Sequence, residues 1–178
     1  MDIFLKKGST LEYLPDSIIA YQNAQFKQHT VIRMEPGASF ICTEILTPGW
    51  APDGRLFQYQ LLQAKLEIYL EDQLILFDHV KLEPDQDMQG IGIMEGYTHF
   101  GTMFVIDDRV NRELVEELHE LFQTLPGSRI GVSMLSVSGF ALRVLGNTTQ
   151  EVEKILSLGH ESIRKKVLGK EPVFLRKY

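Results

Sequence analysis

The first half of the chain alternates apolar and polar positions in short runs, the period of strands that bury one face. "STLEYL" alternates first, and "SIIAYQ" follows a Pro-Asp turn. "AQFKQHTVIRM" then alternates until "EPGAS" turns the chain, and "SFICTEIL" returns. After a loop, "LFQYQLLQAKLEIYL" and "QLILFDHVKL" pair around "EDQ". There is one internal echo: "GSTLEYL" from Gly8 resembles "GASFICTEIL" from Gly37, 29 residues on. Repeats of that size mark coils stacked on one another. The expectation is a mainly β body of β-solenoid-like stacked strands, with a plain meander as the alternative.

The period changes near Asp85. "EPDQDMQGIG" is a polar connector and "HFGTMFVI" one more strand. "DDRVNRELVEELHELFQTL" places Val110, Leu114, Leu118, Leu121, Phe122 and Leu125 on one helical stripe, with Asp107 or Asp108 as N-cap. "RIGVSMLS" and "GFALRVLG" form a hairpin around "VSG". In "TTQEVEKILSLGHESIRKKVLG", Thr148 and Glu151 fit a capping box ahead of the stripe Val152, Ile155, Leu156, Ile163 and Val167. The C-terminal part is therefore α+β: two amphipathic helices, at about 109–125 and 149–168, and a hairpin. No linker demands a second domain, so 1–178 reads as one domain with a β-rich body over 1–84 and an α+β end over 85–178.

Composition narrows the class. The chain has 178 residues, 44% hydrophobic and 24% charged, ordinary values for a soluble globular domain. A net charge of −6 argues against a nucleic-acid binder. The single cysteine, Cys42, excludes an internal disulfide and reads as a small buried hydrophobe. No apolar run approaches the ~18 residues of a membrane span. "MDIFLKKGST" lacks the basic-then-apolar order of a signal peptide. A cytoplasmic location without membrane attachment is expected.

No nucleophile elbow, phosphate loop, C-x-x-C or H-E-x-x-H is present, so no enzyme site is legible. The five histidines are scattered singly, and no metal ligand set can be read from their spacing. His99 is the most suggestive, because alternation would align it with Tyr97 and Glu95 on one strand face. Glu44 follows "FICT" and alternation turns it to the side of Phe40 and Cys42. With Asp53 in the adjoining loop it could act as an acid–base pair, as in a β-solenoid hydrolase, or pass a divalent cation. The loop "ILTPGWAPDGRLFQY" holds the only tryptophan, Trp50, which serves either as a lid on the core or as a contact surface.

These residues carry a resemblance. Gly8, Leu11, Glu12, Leu14 and Pro15 meet a G-A-x-L-E-x-L-P pattern, Glu44 the acid before the loop, and Arg143, Val144 and Leu145 a late Arg-Val-Leu. Through to the closing "FLRKY", the chain resembles the urease accessory protein D family, UreD or UreH. The family's G-R-x-x-x-G-E-x-F region is matched by Gly49, Gly54 and Phe57, while Trp50 and Arg55 depart from it. Family members carry an N-terminal third that has no counterpart here, so an uncovered first strand edge is expected.

The resemblance implies a scaffold rather than an enzyme. It would bind the structural subunits of apo-urease and recruit the helical accessory protein UreF and the GTPase UreG. Nickel would be in transit through an internal passage, with no tightly bound cofactor. Glu44, Asp53 and His99 are the candidate cation route, and Arg55, where the family has glutamate, would oppose it unless Glu44 paired with it. The loop residues Gly49, Trp50, Gly54, Arg55 and Phe57 would line a partner or passage surface. Glu116, Glu120, Lys165 and Lys166 on the free helix faces are candidate partner contacts. A general interaction module without a metal role is the remaining alternative.

Overall fold

The computed structural model describes residues 1–84, 88, 90 and 92–173. The closing "FLRKY" and most of the connector after Pro84 lie outside the described residues. The first five strands are delivered in turn to two sheets: β1 (Asp2–Leu5), β2 (Thr10–Tyr13), β3 (Gln25–Met34), β4 (Ser39–Leu46) and β5 (Leu61–Leu70). Within the first sheet β1, β3 and β5 are parallel; within the second, β2 and β4 are parallel. Asp2 pairs with Val31 and Thr10 with Ser39, an offset of 29 residues in both sheets. The echo in the sequence is thus a structural repeat. Gly8 and Gly37 occupy its equivalent turns at φ of 77° and 80°, where a side chain would be strained, and Gly8 N donates to Gly37 O at 3.0 Å.

Parallel coiling stops at β5. Glu71 and Asp72 turn the chain straight back into β6 (Gln73–Leu82), which pairs antiparallel with β5. The second sheet is completed by β7 (His99–Ile106), β9 (Gly139–Gly146) and β8 (Arg129–Met134), all antiparallel, in the order β2-β4-β7-β9-β8. The body is a pair of mixed sheets rather than a solenoid. "SIIAYQ" builds no strand of its own; only Ile18 and Tyr21 bridge, to Leu46 and Trp50.

The layers run helices, second sheet, first sheet. Helix α1 (Arg112–Gln123) and helix α2 (Thr149–Ile163) pack on Ile41, Ile45, Met103, Val105, Leu142 and Val144. The opposite face of the second sheet packs on the first sheet. Asn111, not Asp107 or Asp108, caps α1, its side chain accepting from Leu114 N at 2.9 Å. The Asp107 carboxylate is occupied by Ser39 Oγ at 2.6 Å and by Arg109. Leu121 is exposed, because Val115 completes the stripe that centres on Leu118 and Phe122. Thr148 caps α2 as expected, and Glu151 returns to Asn147 N at 3.0 Å. A π-helical turn, Arg164–Leu168, ends the described helix.

Candidate functional site

Strand pleating decides which side chains enter the space between the sheets. Most inward positions are apolar, but at mid-length each sheet carries polar side chains in one cross-strand row, interrupted in the first sheet by Leu66. In the first sheet Thr30 pairs with Leu66 and Leu66 with Asp78. In the second, Glu44 pairs with Thr102 and Thr102 with Arg143. The rows face each other and separate two apolar clusters. One holds Ile32, Met34, Phe40, Ile68 and Phe104; the other holds Leu46, Tyr59, Leu62 and Leu82. A polar layer between apolar ones stabilises less than a continuous core would, so it points to function.

Within the layer Glu44, Asp78, Gln28, Thr30 and Thr102 line a cavity of about 30 Å³, room for a water molecule or a small ion. Gln28 Nε2 donates to Glu44 Oε1 at 2.8 Å. Burial pushes the Glu44 carboxyl up to about 7; the Gln28 hydrogen bond works against this and the negative Asp78 adds to it. The Thr30 hydroxyl is buried and has no hydrogen-bond partner among the described residues. Asp78 accepts from Arg143 Nη2 at 2.5 Å. Arg143 also lines a larger cavity of about 690 Å³, with His79, Lys81, Met94, Phe100 and Arg129 around it. Cys42, beside Glu44, is pushed well above the ordinary thiol range by burial.

The sequence-derived candidates separate. Only Glu44 lies in the polar layer. His99 lies on the helix-facing side of β7, one position from Phe100, which faces the first sheet. Its Nδ1 is 2.8 Å from Thr98 Oγ1, and burial lowers its pKa. Glu95 and Tyr97 sit in turns before β7, so the expected single face does not form; Glu95 is ion-paired with Arg129. Asp53 is exposed and turned into Arg55, whose backbone N–H and side chain lower its pKa. Arg55 therefore pairs with Asp53 and not with Glu44. Among the described residues no three His, Cys, Asp or Glu side chains are grouped to hold a metal ion.

The loop leaves its tryptophan exposed rather than folded over the core. Trp50 is 52% exposed and packs edge-on against the still more exposed Tyr21, centroids 5.4 Å apart. Its backbone N–H donates to Ala20 O at 2.9 Å and its carbonyl accepts from Gln22 N at 2.8 Å, which holds the segment to the body. Phe57 adopts a φ of 56° and packs edge-on against buried Tyr59. Gly54, at φ 74°, turns in open space. On the helices Glu116, Glu120 and Lys165 are exposed, and Lys166 pairs with Glu117, joining α1 to the π-helical turn.

Residues 1–177 match the family model described as UreD urease accessory protein. The chain belongs to the UreD urease accessory protein family. It is 47% identical over 180 residues to urease accessory protein UreD of Lachnoclostridium phytofermentans, covering 100% of this chain and 66% of the relative. It is 41% identical to the UreD of Bacillus sp. strain TB-90 (99% and 66% covered) and 39% identical to that of Ureaplasma parvum (99% and 63%). The chain spans just under two thirds of the length of these curated UreD relatives.

The glutamate of the UreD-like Leu-Glu motif has a structural task that spacing did not reveal. Glu12 on β2 accepts from Arg164 Nη1 on both oxygens and lies 2.7 Å from His160 Nε2. Burial would raise its carboxyl, but the hydrogen bonds from Arg164 and His160 outweigh this and lower it. Asp78, Thr30, Gln28 and Arg143 were also missed as a group. A signal existed: each is polar at an inward register position of an otherwise apolar strand face. Among the described residues no helix is long and apolar enough to cross a membrane.

Proposed function

We propose that the chain is a non-catalytic, cytoplasmic scaffold of urease maturation that conducts nickel, as cargo, through the polar layer between its sheets. It binds the structural subunits of apo-urease together with UreF and UreG. The observation that carries the passage is Glu44, a half-buried carboxylate that lines one water-sized space with Asp78 and a Thr30 hydroxyl unpartnered among the described residues. Carboxylate, hydroxyl and amide oxygens are hard donors that hold nickel less firmly than imidazole or thiolate, which suits transfer. Family membership supports the urease role. The Trp50 loop and the polar faces of α1 and the C-terminal helix offer contact surfaces.

A cavity of about 30 Å³ does not admit a sugar ring, so the paired-carboxylate hydrolase gains no support. The test is complementation of urease-expressing cells that lack their own UreD. The parent chain should restore urease activity and urease-bound nickel. Glu44→Gln should lower both several-fold while still co-purifying with the urease subunits. Equal activation by Glu44→Gln would overturn the passage. A parent chain that neither co-purifies nor restores activity would overturn the scaffold.

A further inference from the structure

Arg143 stands at the boundary between the two cavities. Its side chain lines the larger space and is 41% exposed there, while Asp78, which it holds, lines the smaller. The rings of Phe100 and Phe104 lie 5.5 Å from its guanidinium carbon and fix its position from β7. Glu44 shares the cross-strand row with Arg143, and Asp78 comes from the opposite sheet. Two carboxylates lining one water-sized cavity would, if both were free, make a chelating pair for a divalent ion. With Arg143 in place the charge of Asp78 is already answered, and Glu44 alone is left to attract a cation.

We propose that Arg143 is a resident counter-cation that keeps Asp78 from joining Glu44 as second ligand to a divalent ion, so that the inner cavity releases its cargo. One charge-assisted hydrogen bond, from Arg143 Nη2 to Asp78 Oδ1, answers the charge of Asp78 while Arg143 stays out of the lining of the inner cavity. The purpose assigned to Arg143 rests on the passage reading; the competition for Asp78 does not.

Equilibrium dialysis of the purified chain against nickel chloride tests this, with every variant measured at the same mildly alkaline pH. Arg143→Met should retain one further nickel ion per chain, about tenfold or more tighter than the parent. Arg143→Lys, which keeps the charge, should match the parent, and so should the double variant Arg143→Met/Asp78→Asn. Surface histidines are common to all and cancel in the comparison. Folding is checked by cooperative thermal melting. If Arg143→Met does not fold, Arg143→Gln, which retains a hydrogen-bond donor toward Asp78, carries the same expectation. A folded neutral variant that retains no more nickel than the parent overturns the proposal. Normal urease activation by Glu44→Gln would instead remove the passage reading and leave the dialysis result standing.

Discussion

Glu12 and Arg164 lie 152 positions apart and meet as a largely buried ion pair, with His160 on the same carboxylate. The pair fastens edge strand β2 to the end of the C-terminal helix. Removing one partner leaves the other charge buried without an answer. Glu12→Gln should therefore cost about 3 kcal/mol in urea denaturation. Because the folded pKa of Glu12 lies below its unfolded value, its contribution is present above pH 4.5 and is lost as pH falls through the lower folded value. The variant should accordingly show a weaker acid destabilisation than the parent.

Glu44 predicts the opposite slope. Its folded pKa of about 7 lies above the ordinary 4.5, so folding favours the protonated form. That stability is full below pH 4.5 and is lost as pH rises through 7. The loss amounts to about 3 kcal/mol. Urea midpoints of parent and Glu44→Gln measured from pH 5 to pH 8 should diverge, with only the parent falling steeply. Parallel curves would show that Glu44 is ionised without penalty.

Gly49 and Gly54 both have positive φ in the same loop, yet they differ in surroundings. A Cβ on Gly49 would stand 2.4 Å from Ala20 O and 3.0 Å from the Tyr59 ring, whereas Gly54 faces open space. Gly49→Ala should lower stability by about 3 kcal/mol or more, and Gly54→Ala by about 1 kcal/mol, the cost of backbone conformation alone. Thermal melting of the two variants separates the effects.

Trp50 is the only tryptophan, so intrinsic fluorescence reports on the loop directly. The free chain should show red-shifted emission that acrylamide quenches readily. Binding of urease subunits or UreF at this loop should shift it to the blue. Trp50→Ala should change stability by less than about 0.5 kcal/mol and weaken that binding. Unchanged affinity would move recognition to the helix faces, where Glu116, Glu120 and Lys165 are exposed.

Arg55→Glu should leave nickel delivery unchanged. Arg55 is paired with exposed Asp53 and does not line the inner cavity. Nickel content of urease from cells carrying either version measures this, and a gain in the variant would place the loop on the route.

Sequence alone determined what is local in this protein. Alternation marked β3, because a strand with one buried face repeats every two residues, whereas β4 and β7, covered on both faces, read as nearly continuous apolar runs. The 29-residue echo carried the register of two parallel pairs, since equivalent turns in stacked coils need glycine at equivalent places. Thr148 and Glu151 marked the start of α2 because their hydrogen bonds span only three residues. The start of α1 was misread, since Asp107 was claimed by Ser39, 68 residues away. The family was legible from motifs, and Glu44 from its inward register. Tertiary structure decided the rest. Pleating sent His99 to the helix side and Glu44 to the inter-sheet side, although both looked like ligands of one route. The polar layer exists only because sheet packing sets Thr30 and Asp78 on one sheet opposite Glu44 and Arg143 on the other. Local periodicity shows that a side chain points inward, but what it meets there depends on strands distant in the chain.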